Sequence, residues 1–186
     1  SKHSFPFSLG PISNRIFSNV PDRGDVIIFK PPHTNLDYIK RLIGLPGDRI
    51  EVRNGNLIIN SNLLEYENIR EDSKVLKNGR VIKINVLKET LPNGISYEIY
   101  NYLDGSPGDN TKEFVVPENH YFFMGDNRDC SKDSRFLTSV GYVHENNLVG
   151  KAQFIFFSSD TRKGSIFEIW RWNELIRFDR FFKKII

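Results

Sequence analysis

The residue best suited to chemistry is a lysine at position 40, inside the segment LDYIKRLIGLPGDRIEV (residues 36–52). With a period of two, one face of a strand here carries Leu36, Tyr38, Lys40 and Leu42, and the other face carries Asp37, Ile39, Arg41 and Ile43. The first face is otherwise apolar or aromatic, so the pattern predicts that it is buried. The strand is therefore expected to direct an amine toward its own core.

A lysine in that position has two interpretations. Its stem can lie along the core while its ammonium reaches water. Alternatively, it is held as a neutral amine that accepts a proton. A free lysine, with a pKa of about 10.4, is neutral in only about one molecule in a thousand at neutral pH. An apolar setting lowers that pKa, and a drop of about 2 units corresponds to roughly 3 kcal/mol, which burial can supply.

A second chemically dense segment is MGDNRDCSKDSRFLTSVGYV (residues 124–143). It is not a calcium loop, because Arg128 and Cys130 fall on ligand positions, Ser131 replaces the required glycine and Leu137 replaces the terminal glutamate. Alternating serines, aspartates and arginines favour a network of hydrogen bonds between side chains. The alternative is a solvated, charged loop.

The rest of the chain predicts short strands joined by glycine and proline turns. RGDVIIFK (residues 23–30), DYIKRLIG (residues 37–44) and DRIEV (residues 48–52) are predicted strands, with a hairpin turn at Asn54–Gly55. HYFFMGDN (residues 120–127) is predicted to be a buried strand entering a polar loop, and NNLVGKAQFIFFSS (residues 146–159) another strand. This organisation predicts an all-β fold.

Composition excludes several classes of protein. With 186 residues, 39% hydrophobic and 26% charged, the chain is typical of one globular domain, or of a domain with a large insertion. A net charge of +3 gives no reason to expect a nucleic-acid partner. Cys130 is the only cysteine, and no Cys/His cluster has zinc spacing. No apolar run is long enough for a membrane span, and the absence of an initiator methionine suggests a processed protein or an excised piece.

Three segments resemble, in the same order, three motifs of the type I signal peptidases: RGDVIIF, DYIKRLIGLPGD and MGDNRDCSKDSR. The last motif is flanked, as in that family, by VPENHYFFMGDN and ENNLVGKA. These enzymes are membrane-bound serine proteases with a Ser–Lys pair. The resemblance implies that Lys40 is the general base and that Ser131 orients it. Supporting residues would be Tyr38 beside the lysine and the pair Asp133 and Arg135, whose salt bridge shapes the loop.

The same resemblance assigns Ile28, Asp37 and Ile39 to pockets for small side chains at the −1 and −3 positions of a signal peptide. It implies no metal and no cofactor. It also implies an all-β architecture with a catalytic core at residues 1–60 and 117–186 and an inserted, smaller β-rich domain at residues 61–116. Cys130 replaces an asparagine common in the family, and we expect no effect on catalysis.

One departure from the family concerns the nucleophile. The family's serine belongs to a Ser–Met–x–Pro motif upstream of the lysine, whereas none of the five serines before Lys40 is followed by methionine. The backbone N–H of that serine also contributes to the oxyanion hole. We therefore expect the nucleophile to lie upstream of residue 1 and the isolated chain to be inactive.

The implied function is cleavage of signal peptides of exported preproteins, on the outer face of a bacterial cytoplasmic membrane. The aromatic and basic tail, with Trp170, Trp172, Lys183 and Lys184, is interpreted either as packing onto the sheet or as resting on an anionic membrane surface. Two other functions stay open at this stage. A self-cleaving repressor-type Ser–Lys protease would need a DNA-binding helix-turn-helix, and a non-enzymatic membrane-binding module would leave the lysine unexplained.

Overall fold

A computed structural model describes residues 20–32, 34, 36–75, 79, 81–102 and 105–153. The chain divides into two compact units, residues 1–151 and 152–186. Only Ala152 and Gln153 of the second unit are described, so the aromatic and basic tail, with both of its interpretations, lies outside the described residues.

The described part of the first unit consists of antiparallel strands and a single short 3-10 turn, Glu145–Asn147. The strands are β1 Val26–Phe29, β2 Tyr38–Gly44, β3 Arg49–Arg53, β4 Asn56–Ile59, β5 Asn62–Leu63, β6 Glu65–Val75, β7 Val81–Thr90, β8 Ser96–Asn101, β9 Phe114–Val115, β10 His120–Met124, β11 Val143–His144 and β12 Leu148–Lys151. The predicted all-β fold is confirmed.

The strands form three sheets. The first has the order β11-β10-β2-β1-β12, the second β5-β4-β3-β9 and the third β6-β7-β8. The predicted hairpin turn is confirmed: Arg53 pairs with Asn56, and both turn residues have positive φ, 50° at Asn54 and 78° at Gly55. These angles are those of the two-residue turn whose twist matches the flanking strands.

Two hydrophobic cores meet at the first sheet. The first core includes Ile43, Phe122 and Met124, together with residues of the second and third sheets. The second core includes Leu42 and Phe123, packed with side chains of β1. Because successive side chains of a strand point to opposite faces, β2 and β10 each contribute to both cores. The domain boundaries at residues 61 and 117 stay a prediction.

The predicted one-sided burial of residues 36–43 is wrong at both ends. Leu36 is 68% exposed, because it precedes β2 and is not part of the sheet. Arg41 is only 4% exposed and Ile43 is fully buried, although both belong to the face opposite the one that the pattern predicts to be buried. The reason is that the second half of β2 lies between the two cores, so that both of its faces are covered.

Candidate active site

Lys40 lies on the face of β2 that carries Tyr38 and Leu42. Ile27 is its cross-strand partner on β1 and belongs to the second core, as Leu42 does. The amine Nζ donates a hydrogen bond to Ser131 Oγ at 2.8 Å and lies 6.0 Å from the centre of the Tyr38 ring. The structure thus brings together two predicted site residues that are 91 positions apart.

The surroundings favour the neutral form of this amine. Burial lowers the pKa of Lys40 below its usual value of 10.5, and the positive charge of Arg135 lowers it further. The carboxylates of Asp133 and Asp126 act in the opposite direction but do not compensate for the loss of hydration. A lowered pKa increases the fraction of the amine that can accept a proton near neutral pH.

Ser131 belongs to residues 125–135, hereafter the site loop, which follows β10 directly. Asp133 and Arg135 form a buried bidentate pair, in which the guanidinium Nε donates to Oδ1 and Nη2 donates to Oδ2, each at 2.9 Å. Asp133 Oδ2 also accepts from the backbone N–H of Gly125 at 3.0 Å. The pair therefore ties the end of the site loop to its beginning.

Gly125 is required by close approach. A Cβ at this position would lie 2.2 Å from Ser131 Oγ, 2.6 Å from Ser131 Cβ and 3.4 Å from Lys40 Nζ. The φ angle of Gly125 is not positive, so the requirement is one of space and not of backbone conformation. Only a residue without a side chain leaves room for the bond between Lys40 and Ser131.

Sequence reasoning missed Arg41, which neighbours the lysine. Its guanidinium makes a bidentate pair with Asp126, with nitrogen–oxygen distances of 2.9 and 2.8 Å, and donates to the carbonyl of Gly24 at 2.9 Å. It also stacks on the Tyr97 ring, 3.9 Å from the centroid. This charged pair joins β2 to the site loop. The sequence shows an arginine in a predicted strand and an aspartate in a loop, but no pattern indicates that the two residues pair.

Ser134 is a second residue that the sequence did not single out. Its hydroxyl accepts from the backbone N–H of Phe123 at 2.9 Å, and its own N–H donates to the Phe123 carbonyl at 3.0 Å. Ser134 thus completes backbone hydrogen bonding for the strand from which the site loop departs. A serine inside a charged loop carries no signal that distinguishes this role from a solvated position.

The three predicted pocket residues are not beside the amine. Ile28 and Ile39 are cross-strand partners, which places both on the face opposite to Lys40. Ile39 is 53% exposed, and the exposed side chain of Asp37 forms an ion pair with Lys30 at 3.9 Å. Ile39 and Asp37 are therefore open to solvent, whereas Ile28 is only partly exposed.

The match to a known family decides the classification. A family model described as "Signal peptidase, peptidase S26" matches residues 11–157. The chain belongs to the signal peptidase S26 family. A signal peptidase I from Rickettsia bellii (strain OSU 85-389) is 43% identical, over 92% of this chain and 62% of its own length. One from Rickettsia massiliae (strain Mtu5) is 40% identical, over 92% of this chain and 68% of its own.

Among solved structures of the family, a crystal structure of a signal peptidase I from Enterococcus faecalis V583 is 29% identical with a TM-score of 0.42 and covers 72% of this chain and 97% of that one. The chain spans 62% of the length of the Rickettsia bellii signal peptidase I. In the part of the chain that the structure describes, no helix is both long and apolar enough to cross a membrane.

Proposed function

We propose that this chain carries the general-base half of a signal peptidase I, a serine endopeptidase that cleaves signal peptides after small residues at −1 and −3. The observation that supports the proposal is the hydrogen bond of 2.8 Å between Lys40 Nζ and Ser131 Oγ, at an amine with a lowered pKa. Family membership supplies the substrate class.

In the proposed reaction, the neutral Lys40 amine takes the proton from a serine hydroxyl. The serine oxygen attacks the scissile carbonyl, and the tetrahedral intermediate collapses as the lysine ammonium gives its proton to the leaving amine. Water, activated by the same amine, then hydrolyses the acyl-enzyme. Ser131 holds the amine in position through both halves of the cycle, and no metal or cofactor takes part.

The nucleophile is proposed to be the serine of the family's Ser–Met–x–Pro motif, which the printed sequence does not contain. That the 186 residues alone do not cleave stays a prediction. The term "active form" below means this chain joined to a segment that carries that motif.

Three groups are proposed to support the base. The buried pair of Asp133 and Arg135 holds the site loop in one conformation, because both carboxylate oxygens are engaged. The Tyr38 ring covers one side of the amine at 6.0 Å. Together with burial, these contacts limit the access of water to the lysine.

Substrate binding is proposed to use the face that carries Ile28 and Ile39, together with Asp37. An extended peptide along this side of β1 and β2 would present alternate side chains to the two isoleucines. Small residues are favoured where the backbone of the peptide must come close to the strand. The signal peptide of an exported preprotein, emerging from the outer face of the cytoplasmic membrane, is the proposed partner.

The proposal is tested with a fluorogenic signal-peptide substrate, using the 186-residue chain and the active form. We expect cleavage only by the active form, and loss of cleavage in Lys40→Ala. Lys83→Ala is the matched control, because this lysine is exposed and pairs only with the exposed Glu71 among the described residues. Activity that survives Lys40→Ala would refute the assignment of the base.

The tail is proposed to bind an anionic membrane surface through its aromatic and basic residues. Co-sedimentation with phosphatidylglycerol vesicles tests this proposal. Replacing Trp170 and Trp172 with alanine and Lys183 and Lys184 with glutamine should reduce binding. Binding that is insensitive to these four changes would exclude the tail as the contact.

A further inference from the structure

A buried carboxylate lies in the third sheet, facing the site loop. Glu89 on β7 is fully buried, and its cross-strand partners are Tyr66 on β6 and Tyr97 on β8. The three side chains therefore form one row on the same face of the sheet. Both tyrosine hydroxyls donate to the carboxylate, that of Tyr66 to Oε2 at 2.8 Å and that of Tyr97 to Oε1.

This carboxylate binds an arginine of the site loop. Arg128 Nη2 donates to Glu89 Oε1 at 2.5 Å, and neither partner is more than 4% exposed in its side chain. Burial alone would raise the pKa of Glu89, but Arg128 and the hydrogen bonds hold that pKa below its usual value, so the carboxylate is ionised. Within the described residues, Arg128 Nε and Nη1 are buried without a hydrogen-bond partner. Glu89 is thus the partner that neutralises this guanidinium.

The backbone of Arg128 leads from this pair to the active site. Its carbonyl accepts from Arg135 Nη2 at 2.6 Å, and Arg135 holds Asp133. Asp133 binds the N–H of Gly125, against which Ser131 packs. The hydrogen bonds from the Arg128 carbonyl through Arg135 and Asp133 to the Gly125 N–H are all charge-assisted, and such bonds are the shortest and strongest in proteins.

The third sheet also contacts the site loop through its backbone. The Tyr100 N–H donates to the Asp126 carbonyl at 2.9 Å, and the Arg128 N–H donates to the Tyr100 carbonyl at 3.0 Å. Farther along, the Tyr102 N–H donates to Asp129 Oδ2 at 2.8 Å. The end of β8 therefore fixes the path of the backbone on both sides of Arg128.

We propose that Glu89 is a positioning residue of the active site: by holding Arg128, it keeps the site loop closed over Lys40, so that the third sheet sets the geometry of the Lys40–Ser131 pair. The inference rests on the proposed function insofar as the pair is catalytic. The contact between sheet and loop does not depend on that function.

The proposal predicts the direction of a change at Lys40. The charged and titratable groups that face the amine are Asp126, Asp133 and Arg135 from the site loop and Tyr38 from β2. If Glu89 acts through the loop, its removal lets water reach the amine, and the pKa of Lys40 rises. If Glu89 acted only as a distant negative charge, its removal would lower that pKa.

The experiment measures the titration of Lys40 by NMR in the full 186-residue chain labelled with ¹³C-lysine, with Lys40→Arg to assign the signal. Glu89→Gln is the main variant, because the amide keeps the shape of the side chain and removes the charge, and its single oxygen still accepts a hydrogen bond. Glu89→Gln combined with Arg128→Met guards against misfolding, since it leaves no unpaired buried charge. Glu67→Gln is the matched control: it makes the same change on the neighbouring strand at an exposed pair with Lys88.

We expect the pKa of Lys40 to rise by about one unit in Glu89→Gln and in the double variant, and to stay unchanged in Glu67→Gln. In the active form at pH values below the pKa of Lys40, kcat of Glu89→Gln should be about tenfold lower than that of the unchanged enzyme. The difference should disappear at higher pH, and KM should change little. An unchanged or lowered pKa of Lys40 in a folded Glu89 variant would overturn the proposal. Lys40→Ala of the active form is assayed in parallel. Cleavage by this variant would refute the proposed function, whereas the titration tests the role of Glu89 without requiring activity.

Discussion

Gly125→Ala provides the sharpest test of the site geometry. The new methyl group would lie 2.2 Å from Ser131 Oγ, whereas ordinary contacts between heavy atoms begin at about 3.5 Å. Ser131 must therefore move by about 1 Å, and its bond of 2.8 Å to Lys40 would lengthen beyond hydrogen-bonding range. Since φ is not positive at this position, the backbone itself accepts alanine.

A displacement of about 1 Å at a reacting group typically lowers the rate by about 100-fold, which corresponds to about 2.7 kcal/mol in activation free energy. We expect this loss in kcat/KM of the active form on a signal-peptide substrate. Overpacking of this kind also lowers the free energy of unfolding by about 1–3 kcal/mol, which urea denaturation of the 186-residue chain measures.

The control is a double-mutant cycle with Ser131→Gly, which removes both atoms nearest to the new methyl group. Once Ser131 is absent, Gly125→Ala should cause little further loss of kcat/KM or of stability. Wild-type kcat/KM in Gly125→Ala would refute the reasoning. Additive losses in the double variant would show that the clash with Ser131 is not the cause.

Three further predictions concern charge. Lys40→Met should raise the free energy of unfolding at neutral pH, because the folded-state pKa of Lys40 lies below 10.5 and folding therefore disfavours the charged amine. This cost of folding is complete at pH values below the folded-state pKa and absent above pH 10.5. In urea titrations, the higher stability of the variant should therefore disappear above pH 10.5. In the active form, kcat/KM should rise with pH along a limb whose apparent pKa is lower than 10.5, and Lys40→Arg should remove that limb together with activity. Asp126→Asn should lower the free energy of unfolding by about 1.5–3 kcal/mol, because it weakens two charge-assisted hydrogen bonds to the buried guanidinium of Arg41 while the Asp126 side itself is partly exposed. Glu98→Gln, which weakens an exposed pair with Arg70, should cost clearly less in the same assay.

The sequence predicted the parts of the structure that depend on local pattern. Alternation in β2 correctly placed Lys40 on a face that packs against a core, and Asn54–Gly55 correctly predicted a hairpin. The motif around Ser131 suggested a hydrogen-bond network, and the structure contains one around Asp133 and Arg135. In each case the sequence pattern lies within about ten residues of the strand, turn or hydrogen-bond network that it predicts.

Contacts between distant segments were not predictable in the same way. The alternation puts Arg41 with Ile39, on the face opposite the one predicted to be buried, and its partner Asp126 is 85 positions away. Glu89 ends an alternating run in which an acidic residue normally faces water, and its partner Arg128 is 39 positions away. The charges that a sequence assigns to the surface become buried when a distant segment supplies the opposite charge, and one sequence does not reveal that pairing.

The participation of β10 in both cores has a consequence for how the protein tolerates mutation. Phe122→Leu would make a cavity in the first core and Phe123→Leu one in the second. Either cavity weakens the packing of the same strand, β10, and the site loop begins where β10 ends. The two cores are therefore expected to melt in one transition, with the amides of β10 among the slowest to exchange with solvent. Catalytic activity would then decline together with the folded fraction, and substitutions in either core would also affect the surroundings of the Lys40 amine.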